Sequence, residues 1–106
     1  MIPPFPKAKS ESSLGLTVHQ CEAVHAKAFV LIKQGLATRV SVHDKGHYMS
    51  VLDCRGEQFF IGRVDGICYL FDNSEMMLAS SQRLAIVLDA LEMVLSPTPD
   101  ETDQHH

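Results

Sequence analysis

The chain has 106 residues, which predicts a single domain, and 45% of them are apolar, which is enough for a hydrophobic core. Thirteen acidic against nine basic residues give a formal net charge of −4, and the basic residues are scattered along the chain. No clustered basic surface follows from this pattern, so we expect neither nucleic-acid binding nor attachment to a membrane surface. No segment approaches the roughly 18 consecutive apolar residues of a membrane span.

The start of the chain and its cysteines favour a reducing cytoplasm. Met1 and Ile2 lead directly into Pro3, without the basic start and apolar run of a secretory signal. An odd number of cysteines makes a poor disulfide framework, and the three are Cys21, Cys54 and Cys68. We therefore expect a cytoplasmic protein, with one disulfide beside one remaining thiol as the alternative.

Both ends of the chain have the composition of flexible segments. Residues 1–13 are rich in proline, serine and charge, and residues 96–106 are rich in proline and acidic residues. We predict that both segments are mobile and that one domain covers residues 14–95. The closing His105 and His106 are either native or an expression remnant.

The first predicted element is a helix that begins at Thr17 and ends near Gln34. Thr17 and Gln20 have the spacing of a capping box, and Gly35 supplies the left-handed residue that commonly follows a helix. Several side chains recur at helical spacing along this segment. We predict that they face the core, and they are Cys21, Val24, His25, Ala28, Leu31 and Ile32.

Three turn signals then divide the chain into four predicted strands. Residues 44–46, 53–56 and 65–66 each contain Asp and Gly, which suit tight turns. The predicted strands cover residues 37–43, 48–53, 58–64 and 67–72. Connections this short require antiparallel neighbours. Gly62, inside the third strand, predicts either a β-bulge or a close backbone approach.

The last predicted element is a helix from about residue 81 to residue 95, which ends at the Ser-Pro dipeptide that follows. Ser80 or Ser81 is the favoured N-cap, and residues 75–79 are then a short strand or a separate turn of helix. A longer single helix capped near residue 73 is the alternative.

The order of the predicted elements is helix, four-stranded antiparallel meander, helix. Two helices and one sheet form a stable domain when both helices pack on one face of the sheet. The sequence therefore predicts a two-layer α+β fold, with an N-terminal and a C-terminal helix on the same face.

The predicted sheet and last helix carry more apolar surface than two helices on one face can cover. An antiparallel sheet with a free face normally shows polar residues there, and a helix with a free side shows one polar side. The surplus residues are Phe60, Tyr69 and Phe71 on the outer sheet face, and Ile86, Ala90 and Met93 on the last helix. We predict that one of these surfaces forms an interface, in a homodimer or with another protein. The alternative is that a strongly twisted sheet hides the outer face by itself.

Six histidines and three cysteines in the chain raise the possibility of a metal site. His43 and His47 flank the first turn and form the better candidate pair, while Cys21 and His25 share one side of the first helix. No CxxC spacing typical of structural zinc sites occurs. We therefore predict no metal site and no cofactor.

A cysteine nucleophile is the second chemical possibility. Cys54 lies in a turn beside Arg55, which favours an exposed thiol with a lowered pKa. Catalysis also needs a positioned base, and nothing in the sequence fixes His43 or His47 near this thiol. We interpret Cys54 as an ordinary turn residue.

The function predicted from the sequence is that of a small non-enzymatic protein–protein interaction module. We expect a homodimer that serves as an accessory, regulatory or inhibitory factor on a larger protein or complex. Two alternatives come from other classes. One is a metal- or thiol-dependent activity that uses Cys54, His43 and His47, and the other is a small-ligand binder with its pocket between sheet and helices.

Overall fold

The computed structural model describes residues 5–6, 15–44 and 47–96 of the chain. Within these residues the chain forms two helices and five strands. Their bounds in chain order are α1 Val18–Lys33, β1 Ala37–His43, β2 Tyr48–Asp53, β3 Gln58–Val64, β4 Ile67–Phe71, β5 Met77–Ser81 and α2 Leu84–Leu95. The remaining residues of the predicted mobile segments, 1–13 and 96–106, lie outside the described residues, and so do residues 45–46 of the first predicted turn.

Local hydrogen bonds fix both ends of α1. The Thr17 hydroxyl accepts the backbone N–H of Gln20 at 3.1 Å, and the Gln20 side chain accepts the N–H of Thr17 at 2.9 Å. At the other end Gly35 has a φ angle of +78°, and the N–H of Leu36 donates to the carbonyl of Leu31 at 2.9 Å. This is the Schellman arrangement, in which a glycine in the left-handed region ends the helix. Both predicted helix ends are confirmed.

The first four strands form the antiparallel meander that the turn signals predict. Asp65 and Gly66, between β3 and β4, have positive φ angles of +51° and +82°. Asp53 fixes the turn after β2, because its carboxylate accepts the backbone N–H groups of Arg55 and Glu57 at 2.9 and 2.8 Å. The aspartates at strand ends therefore have a structural role in the turns.

The sheet has five strands rather than the predicted four, in the order β1-β2-β3-β4-β5. Residues 75–79 were expected to form a short strand or a turn of helix, and β5 is the strand, displaced two residues along the chain. Its pairing with β4 depends on Asp72, whose carboxylate accepts the N–H groups of Ser74 and Met76 at 2.8 and 2.9 Å. This tight turn returns the chain alongside β4.

The prediction that Ser80 or Ser81 caps the last helix is wrong. Both serines lie in β5, and α2 begins only at Leu84, after an extended Arg83 that makes no side-chain capping bond. The Ser81 hydroxyl accepts the N–H of Arg83 at 3.0 Å, so it fixes the chain between strand and helix. A serine is compatible both with an exposed strand and with the N-cap of a helix. The pairing with β4 makes this segment a strand. The end of the helix at Leu95 is as predicted.

Both helices lie on the same face of the sheet, α1 mainly on β1 and β2 and α2 on β4 and β5. An ion pair between Lys27 of α1 and Glu92 of α2 joins them. Alternate residues of the central strands meet both helices in one core, formed by Val24, Ala28, Leu31, Ala37, Met49, Val51, Phe59, Ile61, Cys68, Leu70, Leu84, Val87, Leu88, Leu91 and Leu95. The two-layer α+β fold is confirmed.

Candidate functional site

The outer face of the sheet carries two rows of side chains that run across the strands. In the first row Phe60 of β3 is directly opposite Phe71 of β4. In the second row Gly62 of β3 lies between Tyr48 of β2 and Tyr69 of β4. The three residues predicted for this face, Phe60, Tyr69 and Phe71, are therefore brought together around a glycine that leaves a gap.

The chain itself covers this aromatic surface. Phe60 and Phe71 are only 3% and 5% exposed, although both helices lie on the other face. The ring of Phe5 packs against this surface, with its centroid 5.2 Å from that of Phe71, 5.8 Å from that of Tyr48 and 6.5 Å from that of Tyr69. These separations and tilted orientations are favourable for aromatic pairs. Contacts within one molecule therefore bury much of the surplus apolar surface of the sheet.

Gly62 is required for this contact. A Cβ atom at position 62 would lie 2.6 Å from Cζ and 2.8 Å from Cε1 of Phe5. The ladder has no register shift at Gly62, so of the two predicted alternatives the close approach is the one found, and the approaching group is a side chain. Phe5 is a site residue that the sequence did not predict, and the glycine inside a strand is the signal that could have indicated a contact there.

A second contact fixes the chain just before α1. The N–H of Gly15 donates to the carbonyl of Arg63 at 2.8 Å, and Nε of Arg63 donates to the carbonyl of Gly15 at 2.8 Å. Gly15 has a φ angle of +105°, and a Cβ atom there would lie 3.0 Å from the His47 ring. The end of β3 therefore holds the backbone that leads into the first helix.

The last helix has the two apolar stripes that its sequence predicts, and within this single chain one is buried while the other is largely exposed. Its core side is buried, whereas Ile86 is 50% and Met93 76% exposed, and Ala90 between them is half-buried. On a helix with 3.6 residues per turn this second stripe lies away from Glu92, which faces α1. We call Ile86, Ala90 and Met93 the α2 stripe. That it forms an interface stays a prediction.

Other large apolar side chains are exposed, but they do not form a stripe of this kind. Phe29 is 62% exposed on α1, where Glu22 and His25 separate it from Val18. The remaining exposed large apolar side chains of the described residues are Val30, Val42, Met76, Met77 and Val94. Val94 lies next to the α2 stripe in sequence and enlarges the apolar surface of this helix.

The two candidate metal ligands have different neighbours. The His43 ring stacks on Tyr48 with centroids 4.8 Å apart, and its Nε2 lies 2.8 Å from the Ser50 hydroxyl. His47 lies against Gly15. Across residues 15–44 and 47–96, no group of three or more His, Cys, Asp or Glu side chains is placed to hold a metal ion.

The structure does not bring Cys54 near these histidines. Cys54 follows β2, whereas His43 and His47 lie at its other end, so the length of the strand separates them by roughly 17 Å. Arg55, its predicted activating neighbour, instead donates to the buried Asp53 carboxylate, with Nη2 3.3 Å from Oδ2.

The other two thiols are less acidic than an ordinary cysteine. Burial raises the pKa of Cys68, with Arg63 acting in the opposite direction, and burial also raises the pKa of Cys21. The amide of Gln20 donates to the Cys68 sulfur at 3.8 Å. Both thiols are therefore held in the protonated form at neutral pH, as expected of cysteines that pack against a core.

The predicted place of a small ligand is occupied by the protein's own core. Between sheet and helices lie Met49, Ile61, Leu70 and Leu91, and none of these side chains has exposed surface. The small-ligand alternative stays a prediction without support from this geometry.

We compared the chain with models of known protein families, with curated proteins and with solved structures, and none of the three comparisons gives a match. Neither helix in the described part of the chain is long and apolar enough to cross a membrane.

Proposed function

We propose that this protein is a non-enzymatic protein–protein interaction module that acts as a homodimer through the α2 stripe. The observation that carries the proposal is the exposure of Ile86 and Met93, at 50% and 76%, on a helix whose other side is packed into the core. The outer sheet face is the other surface that the sequence predicts as an interface. Because Phe5 packs over Phe71 there, the α2 stripe is the better candidate for contact with another molecule.

The spacing of the stripe suits contact with a second copy of the same helix. Ile86 lies one turn before Ala90, and Met93 lies about one turn after it. In two antiparallel copies related by a two-fold axis near Ala90, Ile86 of each copy meets Met93 of the other. The small side chain of Ala90 allows the helix axes to approach to about 8 Å, the lower end of the usual range. A self-complementary patch is what a symmetric dimer interface requires.

In the same proposal the dimer serves as an accessory, regulatory or inhibitory factor on a larger protein or complex. Such a role needs a contact surface outside the dimer interface. Phe29 and Val30 supply one candidate, because both are exposed on α1 rather than on α2. This second surface would be available while the α2 stripe is occupied.

The experiment that tests the dimer is a light-scattering measurement of mass across a concentration series. We expect the wild-type chain to have twice its 11.8 kDa mass. Met93→Glu and Ile86→Glu place a charge in the stripe and are expected to give the monomer mass. Phe29→Glu is the matched control, since it places the same charge at an exposed apolar position of the other helix, and it should leave the dimer intact.

Three outcomes would contradict the proposed dimer. The first is a wild-type chain that is monomeric throughout the series. The second is a dimer that survives both α2 substitutions, and the third is a dimer that dissociates only with Phe29→Glu, which would place the interface on α1. Circular dichroism of each variant distinguishes loss of contact from loss of fold.

A further inference from the structure

The outer sheet face has a gap at Gly62, and one aromatic side chain occupies it. Gly62 lies between Tyr48 and Tyr69 in the cross-strand row, so the central side chain of that row is missing. Phe71, in the neighbouring row, borders the same gap. Tyrosine and phenylalanine rings thus surround a short stretch of bare strand backbone.

The ring of Phe5 occupies this gap. Its ring lies directly over Gly62, where an added Cβ atom would be 2.6 Å from Cζ. It meets Phe71 at 80° and Tyr69 at 62°, both edge-to-face. A ring that approaches the backbone of a strand in the place of a missing side chain stabilises a glycine in a sheet. The contact is made by noncovalent packing between residues far apart in the sequence.

We infer that the gap at Gly62 is a recognition site for an aromatic side chain, which Phe5 occupies within its own chain and which a phenylalanine in an extended segment of a partner protein can occupy in its place. The contacts of the Phe5 ring are noncovalent, so a phenylalanine of another molecule can make the same contacts. Pro6 follows Phe5, and a proline restricts φ and lowers the entropy lost when an extended segment is ordered. The partner is therefore an extended segment that presents phenylalanine, and a neighbouring proline favours its binding by lowering that entropy cost.

Phe5 acts in this inference as a built-in competitor. A side chain tethered to the same molecule has an effective concentration in the millimolar range, so it excludes weak ligands that arrive from solution. A partner must either bind more tightly or be held close by another contact. The site is distinct from the α2 stripe, and it does not require the proposed homodimer.

The test uses the full-length Phe5→Ala chain, whose gap is empty, and the peptide IPPFPK, which copies residues 2–7. Backbone amide resonances are followed as the peptide is added up to about 5 mM, which reaches the millimolar effective concentration at which the tethered Phe5 competes. We expect saturable shifts at Gly62, Tyr69 and Phe71. The peptide IPPAPK should cause none, and the wild-type chain should bind IPPFPK at least about tenfold more weakly, because Phe5 occupies the gap.

Two further variants keep the experiment decisive. Phe29→Ala removes an exposed phenylalanine elsewhere, so it should bind the peptide as weakly as the wild-type chain does. Phe5→Leu retains apolar bulk without the ring and serves as the receptor if Phe5→Ala does not fold. Equal shifts with both peptides, equal binding by wild-type and Phe5→Ala chains, or no binding to either Phe5 variant would overturn the inference. None of these results depends on whether the chain is a monomer or a dimer.

Discussion

The backbone of Gly62 and the ring of Phe5 are so close that a Cβ atom at position 62 would lie 2.6 Å from Phe5 Cζ. Carbon atoms in favourable contact are about 3.5–4.0 Å apart, so no side chain fits at position 62 while the ring is in place. The two positions are distant in sequence, and yet the residue allowed at one depends on the residue present at the other. This dependence can be measured.

We predict that Gly62→Ala destabilises the protein by about 1–3 kcal/mol, since the added methyl group must displace the Phe5 ring or shift the strand. Urea unfolding followed by circular dichroism gives the free energy of unfolding. Phe5→Ala alone should cost about 1–2 kcal/mol, because the ring is only partly buried.

The double variant separates a direct contact from two independent effects. The three atoms nearest to an added Cβ at position 62 all belong to Phe5, so the Phe5→Ala change removes the close contacts, and alanine is a better strand residue than glycine. We therefore expect Gly62→Ala to be nearly neutral or stabilising in the Phe5→Ala background, with a coupling energy of about 1 kcal/mol or more. Additive losses in the two single variants and the double variant would show that the two residues do not interact in solution.

Local chemistry is the reason that most of the fold could be predicted from the sequence. The capping box of Thr17 and the left-handed Gly35 define α1 through bonds that span only a few residues. The Asp53 carboxylate similarly fixes the turn after β2, and Asp65 has the positive φ angle of a tight turn. Short turns then leave antiparallel pairing as the only connection, and the meander follows. The two apolar stripes of α2 could be predicted from helical periodicity alone.

The parts that could not be predicted depend on contacts between distant residues. Residues 75–81 have little alternation, and Ser80 and Ser81 are compatible with a helix cap, so only the pairing with β4 makes them a strand. Phe5 lies in a segment whose composition predicts mobility, and its partner Gly62 carries no side chain to indicate the contact. The apolar outer face was recognised, but the group that covers it was not.

Thr17→Ala should cost about 1 kcal/mol of stability, because the Gln20 N–H loses the hydroxyl oxygen that it reaches at 3.1 Å. Thr17→Ser is the matched control, since it keeps the hydroxyl and should retain most of the stability. Thermal and urea unfolding give the two values. Equal losses in both variants would mean that the methyl group of Thr17, rather than its capping bond, supports the helix.

Because the Cys68 thiol is buried, we predict that the free energy of unfolding falls at alkaline pH. Burial raises its pKa above the ordinary value of 9.0, so folding favours the protonated thiol. The stabilisation is complete below about pH 9 and is lost as the pH rises through the raised pKa. Burial also raises the pKa values of Cys21 and Tyr48, and these groups act in the same direction.

Urea unfolding at several pH values between about 8 and 11 measures this dependence. The wild-type free energy of unfolding should fall across this range. Cys68→Ala should be less stable at pH 8, because it leaves a small cavity, but its stability should fall less steeply with pH. Identical slopes in the two chains would show that ionisation of Cys68 does not contribute.

The antiparallel arrangement proposed for the α2 stripe makes a specific prediction about Asp89. This exposed residue precedes Ala90, so the two-fold axis near Ala90 places Asp89 of both copies on the same side of the seam. Two carboxylates that face each other within about 10 Å repel by a few tenths of a kcal/mol in water. We expect Asp89→Asn to tighten the dimer about twofold or more, and added salt to tighten the wild-type dimer, since salt screens this repulsion.

The dissociation constant from sedimentation equilibrium, measured at low and at high salt, gives both effects. Glu57→Gln is the matched control, because it changes the net charge equally in a turn far from α2. It should leave the dissociation constant and its salt dependence unchanged. If Asp89→Asn and Glu57→Gln have the same effect, net charge governs association, and the antiparallel contact at Ala90 is wrong. If Asp89→Asn weakens the dimer, Asp89 makes a favourable contact across the interface, which requires a different arrangement of the two helices.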